Sequence, residues 1–201
     1  MKTQVILFDA DGVLTLPEEV FSIVYARSHG FDVEPFEQFF RNDWQEIVTG
    51  KKDLKESIAE NQELWRWDGS PEELLKFWFE TEDVRNEELL EIISKLKAKG
   101  IFCYLATDQE KYRGEYMQSV MFKDIFDGYF ISASLGVTKT NPKFFEMIIE
   151  QLQQKYPELR PQDITFFDDS QSKVDTACSV GINGQLYKDI EQVKALLLVN
   201  N

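Results

Sequence analysis

Val5-Ile6-Leu7-Phe8-Asp9-Ala10-Asp11-Gly12 is the stretch from which the fold of this chain is read. Four apolar residues in a row, ended by a turn signal, describe a strand buried on both faces, as strands of a parallel sheet are. Asp9 and Asp11 follow it directly. Residues i and i+2 of an extended chain point the same way, so both carboxylates reach one point at the strand's carboxyl end. That end is where parallel sheets bind ligands. Gly12 then permits a tight turn away from the sheet. Two carboxylates so placed are costly unless a cation compensates them or one holds a proton.

Similar apolar runs occur at 101–106, 129–132 and 164–167, with a fifth candidate strand at 183–187. Helical patterns separate them. The segment 86–100 places Leu89, Leu90, Ile92, Ile93 and Leu96 at helical spacing and stops at Gly100. The segment 142–156 repeats this with Phe144, Phe145, Ile148, Ile149 and Leu152. Alternating strands and helices imply an α/β fold, a parallel sheet covered on both faces. The stretch between Pro17 and Arg85 departs from this rhythm. It carries four helical patterns, at 18–29, 34–48, 53–64 and 70–82. The last opens on Ser70-Pro71-Glu72-Glu73, an N-cap followed by proline at the first helical position. The expected domains are thus a core of 1–16 and 84–201 and a helical insertion of 17–83. All four tryptophans, Trp44, Trp65, Trp67 and Trp78, fall in the insertion. They are expected to fill its core, the other reading being that one or two face a cleft.

At 201 residues the chain can hold one full domain with a real core plus a small insertion. Its formal net charge of −14 makes nucleic acid and anionic membranes poor partners. It also repels anionic substrates, so a phosphate site here needs local positive charge. Cys103 and Cys178 both read as small buried thiols. The run 5–8 is far too short for a signal peptide, and no stretch has the ~18 apolar residues of a membrane span. A cytoplasmic setting is expected, with the chain a monomer or homodimer.

A second acidic pair, Asp168-Asp169, follows the run 164–167, so four carboxylates converge on one end of the sheet. Oxygen-only clusters favour hard cations, and one or two carboxylates with water and phosphate suit Mg²⁺ better than Ca²⁺. Either pair alone could equally be a turn in which Asp caps a helix. Thr107 follows the second strand, and Lys139 lies in Gly136-Val137-Thr138-Lys139-Thr140-Asn141-Pro142. His29, before Gly30, reads as a cation at a helix end. Thr49-Gly50-Lys51-Lys52 reads as a solvated turn, or else as a loop that contacts the leaving group of a substrate.

The order Asp-x-Asp-Gly-Val, Thr after a strand, Lys in Gly-x-x-Lys-x-x-Pro, then Asp-Asp-Ser resembles the haloacid dehalogenase-like hydrolase superfamily. The resemblance runs from Val5 to about Tyr187, and 127–145 is similar to the helical-cap phosphatases of sugar phosphates and nucleotides. It implies a doubly wound, Rossmann-like core with an inserted four-helix cap. It also implies a Mg²⁺-dependent phosphomonoester hydrolase acting on a small phosphorylated metabolite. Asp9 would be the nucleophile, forming an aspartyl-phosphate. Asp11 would be the general acid and base, its backbone carbonyl binding the metal. Thr107 and nearby N–H groups would hold the phosphoryl oxygens, and Lys139 would stabilise nucleophile and intermediate. Asp169 would bind Mg²⁺, joined by Asp9 and by Asp168, directly or through water. The usual Lys-Pro-Asp-Pro is here Lys139-Thr140-Asn141-Pro142, and Asp108, in the substrate pocket, replaces the usual Asn. A phosphoglucomutase-type transferase, a 2-haloacid dehalogenase and a silent binding protein of the same fold are the alternatives. Asp11 speaks against the dehalogenase, which needs neither a second Asp nor a metal. A phospho-accepting signalling domain clusters the same residue types but lacks a long insertion after its first strand.

Overall fold

Strand β1 (Val5–Phe8) forms where the apolar run places it, in a computed structural model that describes residues 4–199. After it come helices α1 (Phe21–His29), α2 (Glu34–Asn42), α3 (Trp44–Ile47), α4 (Leu54–Asn61) and α5 (Pro71–Thr81). The chain then alternates: α6 (Glu87–Ala98), β2 (Phe102–Thr107), α7 (Lys111–Tyr116), β3 (Tyr129–Ile131), α8 (Ser132–Leu135) and α9 (Pro142–Lys155). It ends with β4 (Ile164–Asp168), α10 (Gln171–Ser179), β5 (Asn183–Leu186) and α11 (Ile190–Val199). The sheet order is β3-β2-β1-β4-β5, and every pairing is parallel. β1 is therefore central, with Val5 opposite Phe102 and Ile164, and Phe8 opposite Leu105 and Phe167.

Alternation along β1 feeds two separate cores. Val5 and Leu7 pack with Phe144, Phe145, Ile148 and Leu152 of α9. Ile6 and Phe8 point the other way, onto Leu89, Ile92, Ile93 and Leu96 of α6 and Val193 of α11. Because the sheet order turns outward from β1 in both directions, helices cover both faces, which is the doubly wound arrangement. Every strand runs the same way, so Asp9, Thr107 and Asp168 all arrive at one edge of the sheet.

Helices α1 to α5 build a third core of their own, dominated by rings. Phe21 stacks on Trp78 with centroids 4.2 Å apart, and Phe36 on Trp65 at 4.6 Å. Ser70 and Glu73 form the reciprocal capping box that starts α5, as its sequence signals. The expected helix 34–48 is instead two, α2 and the single turn α3. Asn42 and Asp43, which offer the backbone competing hydrogen bonds, stand at the break. Trp44 then packs beside Phe40 and Trp78. The two connections to the sheet run side by side, Leu16 N–H donating to Val84 O and Asn86 N–H to Leu14 O, each at 2.8 Å.

One expectation fails and two hold in part. Cys103 is buried but Cys178 is exposed, near the solvent-facing end of α10, with its Sγ 3.9 Å from Gly184 O. The loop 49–52 is solvated at Gly50 and Lys51, as expected, but anchored at its start, where Thr49 is buried. Ser132 Oγ donates to Val48 O at 2.6 Å, and a Cβ on Gly50, whose φ is +69°, would fall 2.6 Å from Ala133 O. The tryptophans divide: Trp65 fills the helical core, whereas Trp44 and Trp78 also line a cleft. Among the described residues no helix is long and apolar enough to cross a membrane.

Leu7 is fully buried at the centre of the sheet. Leu7→Ala is expected to cost about 2–5 kcal/mol, read as a lower urea midpoint with an unchanged denaturant slope.

Candidate active site

Asp9 continues β1 by one residue, its N–H donating to Phe167 O at 2.9 Å. It is almost wholly buried, and one carboxylate oxygen accepts from Ala10 N–H at 2.8 Å. The same oxygen meets Lys139 Nζ at 2.5 Å. That ammonium is completely enclosed and reaches Asp168 Oδ2 at 2.6 Å as well. Its loop is held from below, Lys139 N–H donating to Asp108 Oδ1 at 2.8 Å. Asp168 ends β4 and takes a further hydrogen bond, at 2.8 Å, from Ser170 N–H.

Burial and charge oppose each other in this group. Burial would raise the Asp9 carboxyl, but Lys139 and Lys173 outweigh it and hold it below the ordinary carboxylate range. Burial would depress the Lys139 ammonium, yet Asp9, Asp168 and Asp108 push it up. Asp168 goes the other way, raised by burial and by the neighbouring Asp9 charge against the pull of Lys139. Asp9 is thus kept as an anion, and Asp168 yields first to a proton unless another cation stands by.

The residues fit such a cation. Asp9, Asp168 and Asp169 each bring a carboxylate oxygen to within 4.8 Å of the others. Asp169 is exposed, and the chain makes room for it. Gly12, at φ +80°, lies so near that a Cβ there would sit 2.2 Å from Asp169 Oδ2. Asp9, Asp108, Asp168 and Asp169 outnumber Lys139 and Lys173 by two charges. An all-oxygen donor set with that excess suits a hard divalent ion.

Asp11 is placed differently. Its carboxylate is not in the cluster of Asp9, Asp168 and Asp169 but turns toward α7. Thr15 Oγ1 donates to it at 2.8 Å, Gln109 Nε2 at 2.5 Å and Arg113 Nη2 at 2.8 Å. Arg113, itself buried, also pairs with Glu82 at 3.0 Å. Glu82 accepts from Phe21 N–H at 3.0 Å. Phe21 begins α1 and Glu82 follows α5, so the Asp11 carboxylate is tied to both ends of the helical insertion.

Thr107 is the last residue of β2 rather than the first beyond it, and is buried there. Asp108 follows, one oxygen on Lys139 N–H and the other 3.6 Å from Lys173 Nζ. Lys173 also lies 3.9 Å from Asp9 Oδ2. Sequence reasoning missed it, together with Arg113, Gln109, Glu82 and Glu110. Lys173 alone left a trace, sitting in the helix that opens directly after Asp168-Asp169. His29 lies away from this group, its ring packed on Tyr25 with Nδ1 2.9 Å from Tyr25 O.

A buried carboxylate clamped by a lysine at the carboxyl edge of a doubly wound sheet, with two more acidic residues beside it, is the arrangement of a hydrolase that uses an aspartate nucleophile. The sequence pattern of the haloacid dehalogenase-like hydrolases matches residues 3–181, and the chain belongs to that family. In fold it is similar to a haloacid dehalogenase (HAD) family enzyme of Bacteroides thetaiotaomicron, at TM-score 0.76 and 19% identity over 98% of both chains. The wild-type form of that enzyme in complex with magnesium and inorganic phosphate aligns at TM-score 0.75 and 19% identity, over 95% of this chain and 98% of the other. A HAD phosphatase from Thermococcus onnurineus aligns at TM-score 0.58 and 25% identity, over 90% of this chain and 84% of that one. None of the curated proteins matches the chain in sequence.

Glu110 caps α7 and so positions Arg113. Its carboxylate accepts from Tyr112 N–H at 2.7 Å and from Arg113 N–H. Burial pushes the carboxyl up from 4.5 to about 7. Between those values the folded chain holds a proton that the unfolded chain has released, so stability falls as pH rises through that window and levels off above it. Glu110→Gln keeps an acceptor for the cap and removes the titration. It is expected to make the pH dependence between 4.5 and 7 shallower, Asp168 supplying the part that remains, and to gain about 1–3 kcal/mol at pH 8, measured by urea unfolding at each pH.

Proposed function

We propose that the chain is a Mg²⁺-dependent phosphomonoester hydrolase that works through an aspartyl-phosphate on Asp9, with 17–83 as a cap over a core of 1–16 and 84–201. The observation that carries this reading is the Asp9–Lys139–Asp168 arrangement, in which a buried carboxylate is kept anionic by an enclosed ammonium. Asp9, Asp168 and Asp169, with the backbone carbonyl of Asp11, would hold the ion. When bound, Mg²⁺ supplies charge compensation between Asp9 and an anionic phosphoryl group.

In the first step Asp9 attacks phosphorus. A bond forms between the carboxylate oxygen and phosphorus, the ester P–O bond breaks, and the alkoxide leaves with a proton from Asp11. In the second step Asp11 takes a proton from water as the water oxygen bonds to phosphorus. The bond from phosphorus to Asp9 breaks, and inorganic phosphate departs. Asp11 must give up one of its donors, Arg113, Gln109 or Thr15, to reach the leaving oxygen. Since Arg113 is tied to Glu82 and through it to Phe21, cap position and the acid/base residue move together in this reading. Thr107 and adjacent N–H groups hold the phosphoryl oxygens, and Lys139 offsets charge on the nucleophile. Catalysis is then mostly positioning and charge stabilisation.

Asp108, the substitution for the usual Asn, has a local counterweight in Lys173. The pair leaves the phosphate pocket no more negative than a neutral residue would, and presents an ammonium toward Asp9 Oδ2.

Purified protein is expected to release phosphate from p-nitrophenyl phosphate with Mg²⁺ and to lose this activity in EDTA. Asp9→Asn should abolish turnover with an unchanged circular dichroism spectrum; full activity in that variant refutes the nucleophile. Lys173→Met is expected to lower kcat/KM by about 10²-fold. Adding Asp108→Asn to it should recover part of the loss, because the stranded carboxylate is then removed. Steady-state kinetics of the single and double variants checks both points.

A further inference from the structure

A cavity of about 700 Å³ opens beside Asp11, between the helical insertion and the sheet edge. We infer that it receives an apolar leaving group, so that the preferred substrates are phosphate monoesters of alkyl or aryl alcohols rather than of sugars; this rests on the phosphatase reading of the Asp9 site.

The cavity adjoins that site at the turn that follows Asp9. Asp11, Gly12 and Arg113 form one end of its wall, and Gly12 is the residue whose backbone lies against Asp169. Beyond this end the lining turns apolar. Phe21, Phe40, Trp44 and Trp78 supply rings, and the edge toward solvent carries Leu16, Val20 and Ile23. Those three aliphatic side chains are 47%, 45% and 42% exposed, although large apolar residues are normally covered. Their exposure is concentrated on this one wall.

Most polar groups of the lining are already engaged, Glu82 with Arg113 at 3.0 Å and with Phe21 N–H at 3.0 Å. The Thr15 hydroxyl already donates to Asp11, at 2.8 Å. Arg41, at the far rim, is engaged within α2 by Glu34 at 2.6 Å and Glu37 at 3.4 Å. Ser22 adds one hydroxyl to the lining. A sugar placed here would give up water at several hydroxyls and find partners for few of them, which is unfavourable. An alkyl or aryl body would cover the exposed aliphatic edge and lie on the rings, while its phosphate reached Asp9. The volume falls within the range of pockets that enclose most of a small ligand.

The test compares kcat/KM, with Mg²⁺, for ethyl, butyl and hexyl phosphate against glycerol phosphate and glucose 6-phosphate. These alkyl esters have leaving alcohols of similar acidity, so the series reads binding of the chain. Hexyl phosphate is expected to exceed ethyl phosphate by on the order of 100-fold, with both sugar-type esters below butyl phosphate. Ile23→Asn and Leu16→Asn, at exposed positions, should flatten the series. A second arm is independent of turnover: 2-naphthol should quench the tryptophan fluorescence of the Asp9→Asn protein, and Trp44→Phe should weaken the quench. A flat alkyl series, sugar phosphates turned over as well as hexyl phosphate, or no naphthol binding would each overturn the inference. So would a solution dimer that Ile23→Lys dissociates, because a second copy would then be what covers this wall. If no ester is hydrolysed yet naphthol binds at Trp44, the phosphatase reading fails while the apolar site stands.

Discussion

The structure turns on one enclosed ammonium. Lys139 has no access to water, and an unpaired charge there would be prohibitive. Asp9 and Asp168 make it tolerable, from the ends of two adjacent strands. The constraint acts in both directions, since the lysine is the nearest charge that offsets the burial of both carboxylates. Around this triad the neighbouring loops take fixed places: Asp108 holds the Lys139 backbone, and Ser170 holds Asp168. Charge left over at the edge, on Asp169 and Asp108, is what calls for a divalent ion and for Lys173.

Much of this was legible in the sequence, for identifiable reasons. Strands buried on both faces are continuous apolar runs, so 5–8 and 164–167 stood out, and the acidic pairs after them announced the edge where they meet. The helices covering the sheet are amphipathic and were equally plain. The aromatic insertion showed itself by lacking strands. Errors came where the outcome depends on a tertiary neighbour. The break between α2 and α3 lies at residues of weak helix preference, but only the packing of Trp44 fixes it. Cys178 was assigned to the interior by residue type, whereas the end of α10 faces solvent. Nothing in Thr49-Gly50 signals that the Ser132 side chain holds Val48 just before it.

The functional residues divide in the same way. Asp9, Thr107 and Asp168 lie in or beside strand ends, where topology alone brings them together, and Lys139 joins them from the loop after α8. Arg113 and Glu82 do not. Each is one charged residue among many in a very acidic chain, and their meeting with Asp11 joins segments far apart in sequence. No periodicity records such a contact. The same holds for the cleft, since Leu16, Val20 and Ile23 are unremarkable until they line one wall.

The paired connections of the insertion have a consequence of their own. Leu16 and Val84 are hydrogen-bonded neighbours, as are Leu14 and Asn86, so the helical module leaves the sheet and returns to it at a single point. For the sheet, almost seventy residues amount to the tip of a hairpin. Closing a longer or shorter loop there changes the entropy only slowly with length, and nothing in the strand register depends on what the loop contains. The sheet therefore tolerates a module of different size or shape, provided that the Glu82 end still meets Arg113. The insertion is joined to the core at this two-bond seam and by a few side-chain links, Arg113 to Glu82 and Ser132 to Val48 among them.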